Sequence, residues 1–135
     1  MATQFTTNPT VAKPVVNPRI LAQLSVTATW TDANTGLTVS VEGLTENVGE
    51  TGTLVNMSKL PPVGSSISLR VMDEGEMLLE VPVEVIRVMR DPGRPMAAFS
   101  VVGGKLKEWR ETVVTAANEW VQRNWKIDYE EEWVN

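Results

Sequence analysis

The sequence contains neither cysteine nor histidine. That removes disulfides, thiolate nucleophiles, sulfur metal ligands, the usual general base and the commonest zinc ligand, so most enzyme mechanisms lose their central residue. Long apolar runs are also missing. No stretch of about eighteen residues is apolar enough to span a bilayer, and the opening MATQFTTNPTVAKPVVNPR is rich in Thr, Pro and Val instead of forming a charged-then-apolar leader. A cytoplasmic protein without membrane insertion is expected. Positive charge is scarce, with 12 Lys and Arg against 17 Asp and Glu and a formal net charge of −5. A long nucleic acid needs a basic footprint to exchange for counterions, which this chain does not have. A ligand with two phosphates needs only one or two arginines.

What remains is the composition of a globular protein in 135 residues, enough for one domain to bury a core without staples. Pro9, Pro14 and Pro18, set among small polar residues, give residues 1–18 the character of an extended arm. Period-two alternation then begins. Leu24, Val26, Ala28 and Trp30 share one face and Ser25, Thr27 and Thr29 the other, and a turn at Asp32-Ala33-Asn34-Thr35-Gly36 leads to the alternating 37–41, which predicts a hairpin. Residues 53–57 read as a third strand. Ile67, Leu69 and Val71 mark the inward face of a fourth, closed by a turn at Asp73-Glu74-Gly75.

The longest strand, 77–89, changes phase partway. Leu79, Val81, Val83 and Val85 lie on one face but Ile86 and Val88 on the other, which predicts a bulge near Val85 that bends the strand as closing a small barrel requires. Pro82 cannot donate to a ladder, so its amide position is expected to face an edge or a bulge. Asp91-Pro92-Gly93-Arg94 predicts a type II turn, with proline presetting the first central residue and glycine taking positive φ at the second. A sixth strand, 96–102, follows. Arg87, Arg90 and Arg94, with Asp91 among them and Glu84 close by, read as a solvated cluster. Glu80 and Glu84 read as solubility charges, and no catalytic constellation or metal site is expected.

After Gly103-Gly104 the apolar period becomes helical. Leu106, Trp109, Val113, Ala116 and Trp120 form one stripe; Val114, Val121 and Trp125 form a second, about 120° away at 100° per residue. Glu108 and Glu111 early, and Arg123 and Lys126 late, suit the helix dipole. The expected organisation is therefore mainly β: an arm at 1–18, a six- or seven-stranded antiparallel barrel at 19–104, a C-terminal α-helix at 105–128 and an acidic tail at 129–135. One helix face covers the barrel. The face of Val114, Val121 and Trp125 needs a second copy, another protein or the tail, and is the expected interaction face.

Several local patterns together resemble the PilZ domain, a bacterial receptor fold for cyclic di-GMP. In that family a D/N-x-S-x-x-G segment leads into a strand, and a P-x-G turn opens the next strand about fifteen residues after the serine. Here Asn47-Val48-Gly49-Glu50-Thr51-Gly52 occupies the motif, and Gly64 of Pro62-Val63-Gly64 stands fifteen positions after Gly49. Asn17-Pro18-Arg19 is similar to the family's HPR segment before its first strand. Met96-Ala97-Ala98-Phe99 stands where the family commonly shows G-x-x-F.

The resemblance covers roughly residues 14–115, implies a PilZ-like barrel with its C-terminal helix, and names its ligand groups. Competent members use an R-x-x-x-R pair, whose guanidinium groups stack on guanine and contact phosphate. With Arg19 as the second arginine, the first position holds Val15; with Arg19 as the first, the second holds Gln23; Lys13 lies two residues too early. Asn47 supplies an acceptor without charge, plus a donor. Gly49 replaces the serine, and Gly52 matches the glycine of close backbone approach, although glycine is equally the residue of a tight turn or bulge. Losing one arginine, one hydroxyl and one carboxylate charge removes about 3–6 kcal/mol, or two to four decades of affinity. The implied role is a non-enzymatic adaptor in cyclic di-GMP signalling or pilus and motility control, without a cofactor and with cyclic di-GMP bound weakly or not at all. A true cyclic di-GMP receptor using Arg19 and Asn47 in altered geometry, and a structural assembly protein, are the alternatives.

Overall fold

The computed structural model describes the backbone of residues 19–134 and the side chains of residues 19–124. The described strands are β1 (Ser25–Thr31), β2 (Thr38–Val48), β3 (Gly52–Met57), β4 (Ser66–Asp73), β5 (Glu76–Met89) and β6 (Met96–Val101). They close into an antiparallel barrel in the order β1-β2-β3-β6-β5-β4, with β4 pairing back onto β1. Alternation explains the interior: Leu24, Val26, Ala28 and Trp30 of the first hairpin, Ile67, Leu69 and Val71 of β4, and Val81, Val83 and Val85 of β5 are all buried. Val39, Val41 and Leu79 are half-buried, and Leu37 departs from the pattern altogether. It lies in the turn, 66% exposed, because β2 begins only at Thr38.

The phase change in β5 is a bulge, as its sequence requires. Val85 pairs with Phe99 and Arg87 with Ala98, so Ile86 has no partner and turns outward, 54% exposed. Pro82 sits where its missing N–H does no harm. Its ladder to β6 begins one residue later, at Val83↔Val101, and the Pro82 carbonyl accepts from Val102 N at 3.3 Å. The Asp73-Glu74-Gly75 turn has φ of 51° at Glu74 and 84° at Gly75, the left-handed pair that matches strand twist in a two-residue hairpin.

The turn after β5 is not type II. Arg94 N donates to Asp91 O at 3.0 Å, but φ of Gly93 is not positive, and Gly93 N donates to the Asp91 carboxylate at 2.9 Å. An aspartate at the first position that reaches back to the third favours type I, and this overrides the preference carried by the glycine. Gly93→Ala is therefore expected to stabilise the protein by about 0.4–1 kcal/mol through the unfolded chain. Its new Cβ would meet nothing closer than Asp91 Oδ1 at 3.6 Å. A lowered denaturant midpoint would contradict the type I assignment.

Behind β6 the chain makes a single 3₁₀ turn (Gly103–Lys105), the short helix α1 (Leu106–Trp109), a π-helical turn (Arg110–Val114) and the long helix α2 (Thr115–Val134). Trp109, Val113, Ala116 and Ala117 are buried against the barrel. The π turn is wider than an α turn, so it delays the rotation of everything after it. As a result Val114 and Val121 are half-buried and packed against the core, not set well around the helix from it. The backbone stays helical through Val134, so the acidic segment continues the helix and does not return along it. The side chain of Trp125 lies outside the described residues.

Candidate functional site

The barrel rim that carries Asn47, Gly49 and Gly52 is assembled by three separate parts of the chain. Ile20 is bridged to Val48, with Ile20 N donating to Val48 O and Val48 N to Ile20 O, both at 2.8 Å. Buried Thr45 fixes the approach to β1: its hydroxyl donates to Ala22 O at 2.5 Å and accepts from Leu24 N at 2.8 Å. Those bonds place Arg19 directly beside the loop.

Arg19 Nε donates to Asn47 Oδ1 at 2.9 Å across 28 residues of sequence, so the structure brings these two predicted site residues together. The guanidinium then lies over Gly49, where a Cβ would collide with Nη1. φ of Gly49 is not positive, so its backbone does not demand glycine; a side chain there would require the flexible Arg19 guanidinium to move. Among the described residues no carboxylate lies within 4 Å of Arg19. Partial desolvation by burial lowers the pKa of Arg19 from its ordinary value.

The loop backbone is engaged by the protein itself. Thr53 Oγ1 donates to Asn47 O at 2.6 Å, Gly49 N to Gly52 O at 2.8 Å, and Val101 N to Thr51 O at 2.8 Å. Trp109 Nε1 donates to Gly49 O at 2.9 Å. Gly49 is thus covered by Arg19 and tied to α1 by a fully buried indole. Gly52 has a different role: a Cβ there would overlap the carbonyl oxygen of Phe99, so its glycine permits β3 to approach β6. Val15 lies outside the described residues.

Trp109 and Arg94 are parts of this region that sequence reasoning did not assign to it. The indole N–H of a stripe tryptophan needs a partner when buried, which is the one available signal, but nothing in the sequence says which carbonyl it meets. Arg94 is solvent-exposed as its sequence suggests, but its side chain pairs with Glu46 and not with Asp91. Its Nη2 meets Glu46 Oε2 at 2.5 Å, and the hydrogen bond and charge of Glu46 hold the Arg94 pKa above its ordinary value.

A closed six-stranded antiparallel barrel with one helix behind its last strand is a PilZ-like fold. No family model and no curated protein matches the sequence. Solved structures do match in fold. The PilZ domain of YcgR from Escherichia coli, solved with c-di-GMP, superposes at TM-score 0.58 and 11% identity over 82% of this chain and 95% of that one. The PilZ domain of CeSA from a cellulose-synthesizing bacterium gives TM-score 0.50 and 23% identity over 73% and 98%. The Bacillus subtilis inhibitor of motility MotI/DgrA gives TM-score 0.53 and 16% identity over 82% of this chain, which spans only 51% of that protein. Among the described residues, no helix is long and apolar enough to cross a membrane and no acidic group is placed to hold a metal ion.

Proposed function

We propose that the chain is a non-enzymatic PilZ-like adaptor in bacterial cyclic di-GMP signalling or pilus and motility control, in which nucleotide binding is weak or lost. The observation that carries this is the engagement of the remaining motif groups with one another. Arg19 gives its Nε to Asn47 and covers Gly49, so part of the group that a ligand would use is already engaged within the protein. The neighbours named for c-di-GMP and for inhibition of motility support the pathway. Output then passes through a protein partner or self-association, and the half-covered Val114 and Val121 are the described part of the proposed contact face.

The absence of a carboxylate beside Arg19, among the described residues, favours a second reading as a working receptor. Calorimetric titration with cyclic di-GMP separates the two. Little or no saturable binding is expected at about 100 μM, a free energy near −5.5 kcal/mol. Tight binding abolished by Arg19→Ala would establish the receptor. Repair by Val15→Arg should strengthen binding, and a serine at Gly49 would add a hydroxyl at the cost of a shift of the Arg19 guanidinium.

A further inference from the structure

Two exposed arginines from distant parts of the chain meet consecutive residues of β2. Thr45 pairs with Val55 and Asn47 with Leu54, so the bulge leaves Glu46 as an extra residue between them. Thr45 and Val48 are buried while Glu46 and Asn47 are half-exposed, which sets two adjacent side chains on the outer surface where a regular strand presents one. Each holds an arginine: Asn47 accepts from Arg19 at 2.9 Å, and Glu46 pairs with Arg94 at 2.5 Å. Arg94 also lines an open groove of about 630 Å³ with Gln23, Ser25, Glu42, Leu44, Glu46 and Asn56.

We propose that Arg94 is the second guanidinium of the nucleotide site, taking one phosphodiester of a cyclic dinucleotide whose other charged face meets Arg19. The assignment rests on the weakened nucleotide site proposed above and gives a cause for the weakness. Glu46 occupies the guanidinium fork that a phosphate would use, and its own charge repels the ligand. The pair is solvent-exposed and therefore screened and readily exchanged. A guanidinium fork fits phosphate as it fits carboxylate, so Arg94 can change partner without a change of fold. The two guanidinium groups are held by consecutive residues of β2, so they can supply two cations to one ligand.

The test is calorimetric titration of the full chain with cyclic di-GMP at low salt, in wild type, Glu46→Gln, Arg94→Ala and the double variant. Thermal melts confirm that these surface changes leave the fold intact. Glu46→Gln is expected to tighten binding about tenfold or more, the scale of one charge-assisted contact. Adding Arg94→Ala should return affinity to the wild-type level or below, and Arg94→Lys in the Glu46→Gln background should recover only part of the gain. Binding by Glu46→Gln that is no tighter than wild type, or that is indifferent to Arg94→Ala, overturns the assignment. Silence in both wild type and Glu46→Gln overturns it while leaving the lost-binding proposal intact. Tight wild-type binding lost in both Arg19→Ala and Arg94→Ala supports the Arg94 role and overturns the weakened-site proposal alone.

Discussion

Gly52→Ala is expected to destabilise the barrel by about 1–3 kcal/mol, read as a lower denaturant midpoint with an unchanged slope. The new Cβ would overlap the carbonyl oxygen of Phe99, a backbone atom that no rotamer change can move aside. Relief would require β3 to retreat from β6 along a ladder that runs from Gly52↔Ser100 to Asn56↔Met96. Phe99 is itself 2% exposed and paired on its other side to Val85, next to the β5 bulge, so the sheet has little freedom there. The same glycine stands at the last position of the N-x-x-x-x-G loop, which gives the measurement a second use. A glycine kept for ligand approach would leave stability unchanged on substitution and alter only binding. An unchanged midpoint would therefore return Gly52 to the ligand site.

Most of the barrel was legible because its signal is physical and local. Each inward strand face reads as every second apolar residue, and a phase slip such as Val85 to Ile86 has one cheap solution, the bulge. The turn at Asp91 was misread because glycine permits positive φ without requiring it, while the aspartate carboxylate fixes the alternative. The helix surface was misprojected for a related reason. A uniform 100° step assumes α geometry throughout, and the π turn at Arg110–Val114 rotates Val114 and Val121 toward the core.

The site was legible in its members but not in their partners. The family resemblance grouped Asn47, Gly49 and Gly52 on one hairpin, with Arg19 ahead of the first strand. That Arg19 fills the space above Gly49, or that Arg94 reaches Glu46, depends on barrel closure and on a bulge at Glu46 that leaves no apolar signature. Gly49 shows the limit most plainly. Its sequence suggests a missing serine, whereas its surroundings show a position where any side chain would displace the arginine.

Trp109→Ala is expected to cost about 3–5 kcal/mol, and Trp109→Phe about 1–3 kcal/mol, a graded pair that separates packing from hydrogen bonding. Trp109 is fully buried between α1 and the barrel, so the alanine leaves a cavity under the helix as well as an unpaired carbonyl. Phenylalanine keeps most of the apolar contact but cannot donate to Gly49 O, which Trp109 Nε1 reaches at 2.9 Å. The effect of the phenylalanine should also be local. Gly49 N donates to Gly52 O within the same loop, so its amide exchange should accelerate in Trp109→Phe, while amides of the distant β4–β5 hairpin keep their protection. Trp120→Phe is the control, because Trp120 is only partly buried and packs farther along the helix, and it should leave Gly49 exchange unaltered. If Trp109→Phe changes neither stability nor loop exchange, the indole bond does not hold the loop, and the link from the Gly49 loop to the C-terminal helix fails with it.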